Sequence, residues 1–549
     1  MIPHFHYDPV WWNTQAAYTA TWDDLSGQAQ QFRQSFQQTG FALVDAHLRT
    51  ARLDPDYRFV LAEVDYLKPY WDARPDQRQY LRRLIAEGRL EIMGGTYNEP
   101  NTNLTTAETT IRNFVYGSGF QRDVLGADPQ TAWQLDVFGH DPQFPGLAAE
   151  AGLSSSSWAR GPHHQWGPML THPGFEHPWG DPSVMQFPAE FEWISPSGRG
   201  ILTHYMPAHY SAGWRIDSCT TLADAEEAVY ELYVLLKRVA ATSNILLPVG
   251  TDYTPPSKWV TEIQRDWNAR YSWPRFECAT PRQFFSAVRR ELATRGSRLS
   301  PQTRDMNPIY TGKDVSYIDT KQAQRAAEGL LLDAEMFAAF AALRGASYPH
   351  AALDKAWRQL VYGAHHDAIT GSESDQVYLD LLTGWREAHD IGRSVLSAAL
   401  DHLTARLERP ALDGMPITVF NPSAWARVDV VTAEVTPPRG ARGLQVVGPD
   451  GKPVPSVVER ALVGADGSIT AAQLTFLADV PAVGHRSGWR VQPTANEASG
   501  WKSVSGTSIE SAHFLISVDA SRGGCVNRLF DKRADRELIR AGDLGNEIV

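Results

Sequence analysis

The sequence predicts a multidomain α/β protein: an N-terminal, seven-stranded parallel β/α barrel-like domain, then a three-helix bundle, then the start of a β-sandwich domain. Three observations predict it. From residue 1 to about 300, short β-rich runs alternate with helix-like segments, the pattern of parallel strands with helices packed outside. From about 315 to 408 the apolar residues recur at i+3 and i+4 only, which is helical periodicity. After about 410 the period becomes 2, that of half-buried strands. The expected domains are 1–305, 306–410 and 411–549.

A run at the extreme N-terminus supplies the first strand. Arg58–Asp65, Leu90–Gly94, Thr131–Asp136, Ile201–Tyr205, Asn244–Val249 and Arg275–Ala279 supply the others. Helices are expected over 24–52, 76–88, 106–125, 222–242, 257–270 and 281–293. In the bundle, Ala323, Ala327, Leu330, Ala334, Phe337 and Ala341 form one apolar stripe. Val377, Leu381, Trp385, Ala388, Ile391, Val395, Ala399 and Leu403 form a second, and 351–365 is the third helix. In the last region Val431, Ala433 and Val435 alternate with Thr432, Glu434 and Thr436 between turn signals such as Asp450-Gly451 and Asp466-Gly467. The chain stops at Val549 in strand-like sequence, so this domain is expected to be incomplete.

The composition excludes several classes. No apolar stretch approaches the 18 or so residues of a membrane span. A net charge of −12 argues against nucleic-acid or anionic-membrane partners. Three scattered cysteines, Cys219, Cys278 and Cys525, offer neither a disulfide framework nor a thiolate zinc site. The first residues carry no signal-peptide pattern, so a cytoplasmic location is expected. Chemistry-bearing residues nevertheless begin at position 4, which leaves room for sequence upstream. Self-association is left open. The 18 tryptophans are more than usual; they fill cores or line a pocket with flat faces, as sugar binders do.

Four segments carry chemistry. In His4-Phe5-His6-Tyr7-Asp8-Pro9-Val10-Trp11-Trp12, His6 and Asp8 share one side of a strand end, a donor pair for a divalent metal. Trp133-Gln134-Leu135-Asp136-Val137-Phe138-Gly139-His140 delivers an Asp at the end of an apolar strand. Asn244-Ile-Leu-Leu-Pro-Val-Gly250-Thr251-Asp252 does so again, and an apolar surround raises a carboxyl pKa as a general acid requires. Tyr362-Gly363-Ala364-His365-His366-Asp367-Ala368-Ile369-Thr370-Gly371 ends a helix in two histidines and an Asp, and His366 could complete the metal shell. Taken singly, each has an ordinary reading as a loop, a turn or a helix cap. Together, the two strand-end Asp residues could form a carboxylate pair, and a pair flanking a bond is the apparatus of glycoside hydrolysis.

The motifs HxHxDPxW, WQxDxFGH, PxGxD and HHDAITG, in this order, resemble the α-mannosidases of glycoside hydrolase family 38, both the lysosomal and Golgi class II enzymes and their bacterial relatives. Tyr310-Thr311-Gly312, Val419-Phe-Asn-Pro-Ser-Ala-Trp425 and Arg522-Gly523-Gly524 are similar too, so the resemblance runs along essentially the whole chain. It implies a retaining exo-α-mannosidase acting on terminal α-linked mannose of a glycan, with one divalent metal, normally Zn²⁺. Carried over by position, His6, Asp8, Asp136 and His366 bind the metal. Asp136 is the nucleophile and Asp252 the acid/base. Trp11, Arg160, Tyr310 and Asp367 contact the sugar. Thr251 departs from the Gly-Asp-Asp of many members, and Val10 replaces a common glycine, with an altered subsite shape as the expected result. Two other readings compete: a metal-dependent carbohydrate deacetylase, and a catalytically silent glycan-binding protein. The first needs no second carboxylate across C1; the second would be expected to have lost Asp136 or Asp252.

Overall fold

The computed structural model describes residues 1–12, 40–162, 185–307, 312–407, 413–495 and 505–547. The chain divides into two compact units, Met1–Leu403 and Thr404–Val549. Among the described residues no helix is long and apolar enough to cross a membrane.

In the first unit, nine strands form sheets of two, two and five strands among the described residues. β1 (Ile2–Pro3) runs parallel to β8 (Pro248–Val249). β2 (Phe59–Leu61) runs parallel to β3 (Leu90–Ile92). The five-stranded sheet has the order β4 (Thr131–Gln134), β5 (Ser155–Trp158), β7 (Gly200–Tyr205), β6 (Glu190–Ile194), β9 (Pro301–Gln302). A bond from Gly94 N–H to Thr131 O, 2.9 Å, joins the end of β3 to the start of β4.

Three expectations need correction, the first being the strand number: nine strands are described where seven were expected, because Ser155–Trp158, Glu190–Ile194 and Pro301–Gln302 are strands too and one expected run is not. The strands are not all parallel, because β6 pairs antiparallel with β7. The tight turn around Gly198, whose N–H donates to Ser195 O at 2.9 Å, makes the two a hairpin. Arg275–Ala279 is not a strand. Its backbone is occupied by side chains of the helix Val260–Arg270: Asn268 bonds both the N–H and C=O of Phe276, at 3.0 and 2.8 Å, and Gln264 accepts from Cys278 N–H at 2.6 Å.

The expected helices appear as Gly40–Leu53, Arg78–Ala86, Ala107–Gly119, Leu222–Leu236, Val260–Arg270 and Pro281–Arg295; the start of the 24–52 segment lies outside the described residues. Pro281–Arg295 begins with a capping box, Thr280 paired with Gln283, and ends at Gly296 in the left-handed region. A further helix, Val64–Ala73, takes over where the strand Arg58–Asp65 was expected to continue.

The helical segment holds Ile318–Leu343, His350–Gly363 and Asp375–Thr404, plus one short helix, His366–Thr370. Their facing stripes bury Ala327, Leu331, Ala334, Trp357, Leu360, Leu381 and Trp385 in one cluster. Val10 is in that cluster too, 4% exposed, so the residue expected to shape the subsite ties the N-terminal segment to the helices.

The second unit is antiparallel throughout. β10 (Met415–Asn421), β15 (Gly484–Thr494) and β12 (Gly443–Val447) form one sheet, in that order. β11 (Arg427–Val435), β14 (Ile469–Val480) and β13 (Ser456–Val463) form another. Both contribute to a single apolar cluster around Leu474, Phe476, Trp489 and Val491. A third sheet holds β16 (Ser508–Glu510), β17 (Phe514–Asp519), β18 (Cys525–Asp531) and β19 (Arg536–Glu537).

Candidate active site

The site grows from the β1–β8 pair. Past the two-residue strands the ladder continues: His4 N–H donates to Val249 O (3.0 Å), His6 N–H to Thr251 O (3.2 Å), and Tyr253 N–H to His6 O (3.0 Å). The backbones of His6 and Asp252 therefore lie side by side. Glycine at 250 permits this approach, since a Cβ there would stand 1.9 Å from His4 O. Asp8 is anchored by Tyr253, whose hydroxyl accepts from Asp8 N–H at 3.1 Å and donates to Asp8 O at 3.0 Å.

A cavity of about 350 Å³ opens above. Asp8, Trp11, Asp136, Arg160, Asp252 and Asp367 line it, with Phe138, Lys313, Ser316 and Ser372 among their neighbours. His6 and His366 lie fully buried beside these carboxylates, within reach of Asp8 and Asp136. The structure thus brings together eight of the nine residues singled out from the sequence; Tyr310 lies outside the described residues.

The arrangement of donors is that of a cation site. His6 Nε2, His366 Nε2 and His365 Nε2 approach one atom, Asp8 Oδ1, at 2.8, 3.0 and 3.4 Å. His366 Nε2 is also 3.7 Å from Asp136 Oδ2. His366 Nδ1–H donates to Glu99 O at 2.9 Å, so in the neutral ring Nε2 presents a lone pair towards the carboxylates. The carboxylates among these rings are balanced by positive charge, supplied by a proton on a ring nitrogen or by a metal ion among the donors. The donor set of two imidazoles and two carboxylates suits a divalent ion such as zinc. Burial pushes His366 down, but the Asp8, Asp367 and Asp136 carboxylates raise it to about 9, the direction of a site that attracts positive charge.

The two candidate catalytic carboxylates differ in their partners. Asp136 accepts from Arg160 Nε–H, and its own N–H donates to Glu99 Oε2 at 3.1 Å. Asp252 accepts from the Tyr210 hydroxyl at 2.7 Å. Burial raises the Asp252 carboxyl to about 6, against the pull of His6 and with the help of the Asp136 and Asp8 charges. Divergent environments of this kind separate an acid from a nucleophile. Asp367 accepts from Ser372 Oγ at 2.5 Å. Gly371, at φ +74, ends the His366–Thr370 helix and turns the chain into the cavity wall.

Glu99 and Tyr210 were missed by the sequence reading. Both follow a strand end, Glu99 in Thr96-Tyr97-Asn98-Glu99-Pro100-Asn101 after β3 and Tyr210 after β7. The rule that strand ends carry chemistry, applied to every strand, would have found them.

Residues 1–313 match the glycosyl hydrolases family 38 N-terminal domain, which is more than half of the chain. The chain belongs to glycosyl hydrolase family 38. Residues 309–403 match the alpha mannosidase middle domain. Among its curated relatives, human alpha-mannosidase 2C1 is 24% identical over 407 residues, 73% of this chain and 36% of that protein. Human epididymis-specific alpha-mannosidase is 26% identical over 506 residues, 83% of this chain and 49% of that protein. This family 38 chain therefore spans between about a third and a half of the length of these curated relatives. An alpha-mannosidase structure from Enterococcus faecalis V583 shares its fold, with a TM-score of 0.70 at 21% identity, over 98% of this chain and 60% of that one.

Proposed function

We propose that this chain is a retaining, metal-dependent exo-α-mannosidase that removes terminal α-linked mannose from glycans. The observation that carries the reading is the cavity itself. Asp136 and Asp252 line it together with Arg160 and Trp11, beside the buried His6 and His366 donors. Relatives named alpha-mannosidase and the match to the family support the substrate class.

In this reading residues 1–305 supply the strand-end carboxylates, the helical segment 306–410 brings His366 and Asp367, and 411–549 is a β-sandwich start. His6, Asp8, Asp136 and His366 hold one Zn²⁺. When bound, the ion supplies positive charge that orients vicinal sugar hydroxyls and balances the carboxylates. Trp11 and Asp367 position the sugar, as Tyr310 does by resemblance. Arg160, on Asp136, fixes the direction of that carboxylate. Asp136 attacks C1 while Asp252, protonated through its buried setting, passes its proton to the leaving oxygen. Asp252, now ionised, takes a proton from the incoming water, which releases the sugar from Asp136 with its configuration kept. Tyr210 stays bonded to Asp252 and holds it in place through both steps.

The test is hydrolysis of an aryl α-mannoside by the purified chain, before and after chelation and zinc return. Activity lost on chelation and restored by zinc is expected. Full activity without metal, or acetate release from an acetylated glycan with no mannoside cleavage, would contradict the proposal.

A further inference from the structure

Outside the cavity, Glu99 stands out: it is 1% exposed and does not line the cavity, yet it bonds or approaches three of the four proposed metal ligands. Its carbonyl accepts both the backbone N–H of His366, at 3.0 Å, and His366 Nδ1–H, at 2.9 Å. Its Oε2 accepts from Asp136 N–H at 3.1 Å. Its Oε1 lies 3.6 Å from His6 Nδ1, while Asp8 meets the other ring nitrogen, Nε2. Neither of these last two atoms has another partner.

The segment that holds Glu99 is itself sewn to the helical region. Asn98 Nδ2 donates to Val361 O at 3.1 Å, Asn101 N–H donates to Ala364 O at 3.2 Å, and Pro100 pairs with His365. His6 and Asp136 come from different strand ends and His366 from a helix. A ligand set of such mixed origin needs a common post, and residue 99 touches all three elements.

We propose that Glu99 is the positioning residue of the metal centre. Its carboxylate orients His6 through Nδ1 and directs the Asp136 backbone, while its carbonyl fixes the His366 ring with Nε2 towards the ion. Carboxylate–histidine–metal arrangements of this kind set ring orientation and ligand basicity, and disturbing them costs roughly 10- to 100-fold in metal affinity. This rests on the metal-site reading above. The neighbouring Glu63, with both carboxylate oxygens unpartnered, offers an oxygen within 4.8 Å of a ligand atom of His6 and of Glu99. The cluster therefore has a competing use as a second ion site.

The experiment measures zinc stoichiometry and zinc affinity, by chelator competition, for the wild-type chain, Glu99→Gln and Glu99→Asp. Melting of each zinc-free protein is recorded alongside. The expected result is one zinc per chain, with affinity lowered about 10-fold or more in Glu99→Gln and less in Glu99→Asp, which keeps the charge. The zinc-free melting temperatures should stay close to wild type. If Glu99→Gln does not fold, Glu99→Asp carries the test, and an intermediate loss of affinity is still expected. Unchanged zinc affinity in the variants overturns the role of Glu99 alone. A second zinc equivalent, lost on substitution, also overturns it, by making the cluster a metal site. A wild-type chain that binds no zinc overturns the metal-site reading and this role with it.

Discussion

Strands in the unit 404–549 reach twelve residues, as in Ile469–Val480, where Leu474, Phe476, Ala478 and Val480 point inward and Leu477 and Asp479 outward. Under the cavity, β1 and β8 pair over two residues each before the chain hands His6, Asp8 and Asp252 to the site. The two regions treat polar groups differently. Among the described side chains of 404–549, Arg490 Nε alone is buried without a partner. Around the cavity, atoms of His6, Glu63, Asp65, Glu99, His365 and His366 are in that condition. A region built for stability satisfies its polar atoms within itself. A region built to hold a cation and a substrate carries buried polar atoms whose partners the chain does not all supply.

The sharpest break in this comparison is Asp136→Asn. It removes the proposed nucleophile and a charged ligand together, so turnover is expected to fall at least about 10³-fold, with weaker zinc binding in the same sample. An active enzyme with normal zinc content would erase the distinction between the regions.

Asp252→Ala comes next. Substrates with poor leaving groups should lose roughly 10²- to 10⁴-fold, and activated aryl mannosides should lose less, because they need less protonation. The pH profile sharpens the point. Asp252 is raised to about 6, and its acid form is lost as the pH climbs through that value, so it contributes an alkaline limb to kcat. A bound cation favours the ionised carboxylate and draws that limb lower. The limb should vanish in Asp252→Ala; its persistence would move the acid role elsewhere.

The smallest effect on catalysis is expected in the other region. Leu474 is fully buried among Phe476, Trp489 and Val491, and Leu474→Ala should cost about 2–5 kcal/mol of that unit's stability. Calorimetry should show the lowered transition, while metal content stays at the wild-type value. A loss of zinc in this variant would mean that the two regions are not separable.

The same contrast explains what could be read from sequence. Periodicity is loud where one face is apolar, so the alternation at Val431, Ala433 and Val435 and the stripes from Ala327 and Val377 were legible. β5 was not, because Ser155-Ser156-Ser157-Trp158 looks like a polar loop. It is nevertheless wholly buried, with Ser155 Oγ bonded to Thr131 Oγ1 at 2.9 Å and Ser157 Oγ donating to His204 O at 3.1 Å. The reversed strand β6 escaped as well, since direction leaves no trace in hydrophobic pattern. At the site, the residues embedded in recognisable motifs were found. Glu99 and Tyr210 were not, because their importance lies in contacts made across the fold, to Asp136, His366 and Asp252.

The central claim is that Asp136 is a nucleophile poised over a cation site and that Asp252 is its acid. A 2-fluoro or 5-fluoro mannosyl probe with a good leaving group, followed by peptide mass analysis, tests it most directly. The account predicts covalent label on Asp136 in the zinc-loaded chain, no label there in Asp136→Asn, and a released sugar of retained configuration. Label on another carboxylate, or an inverted product, would contradict it.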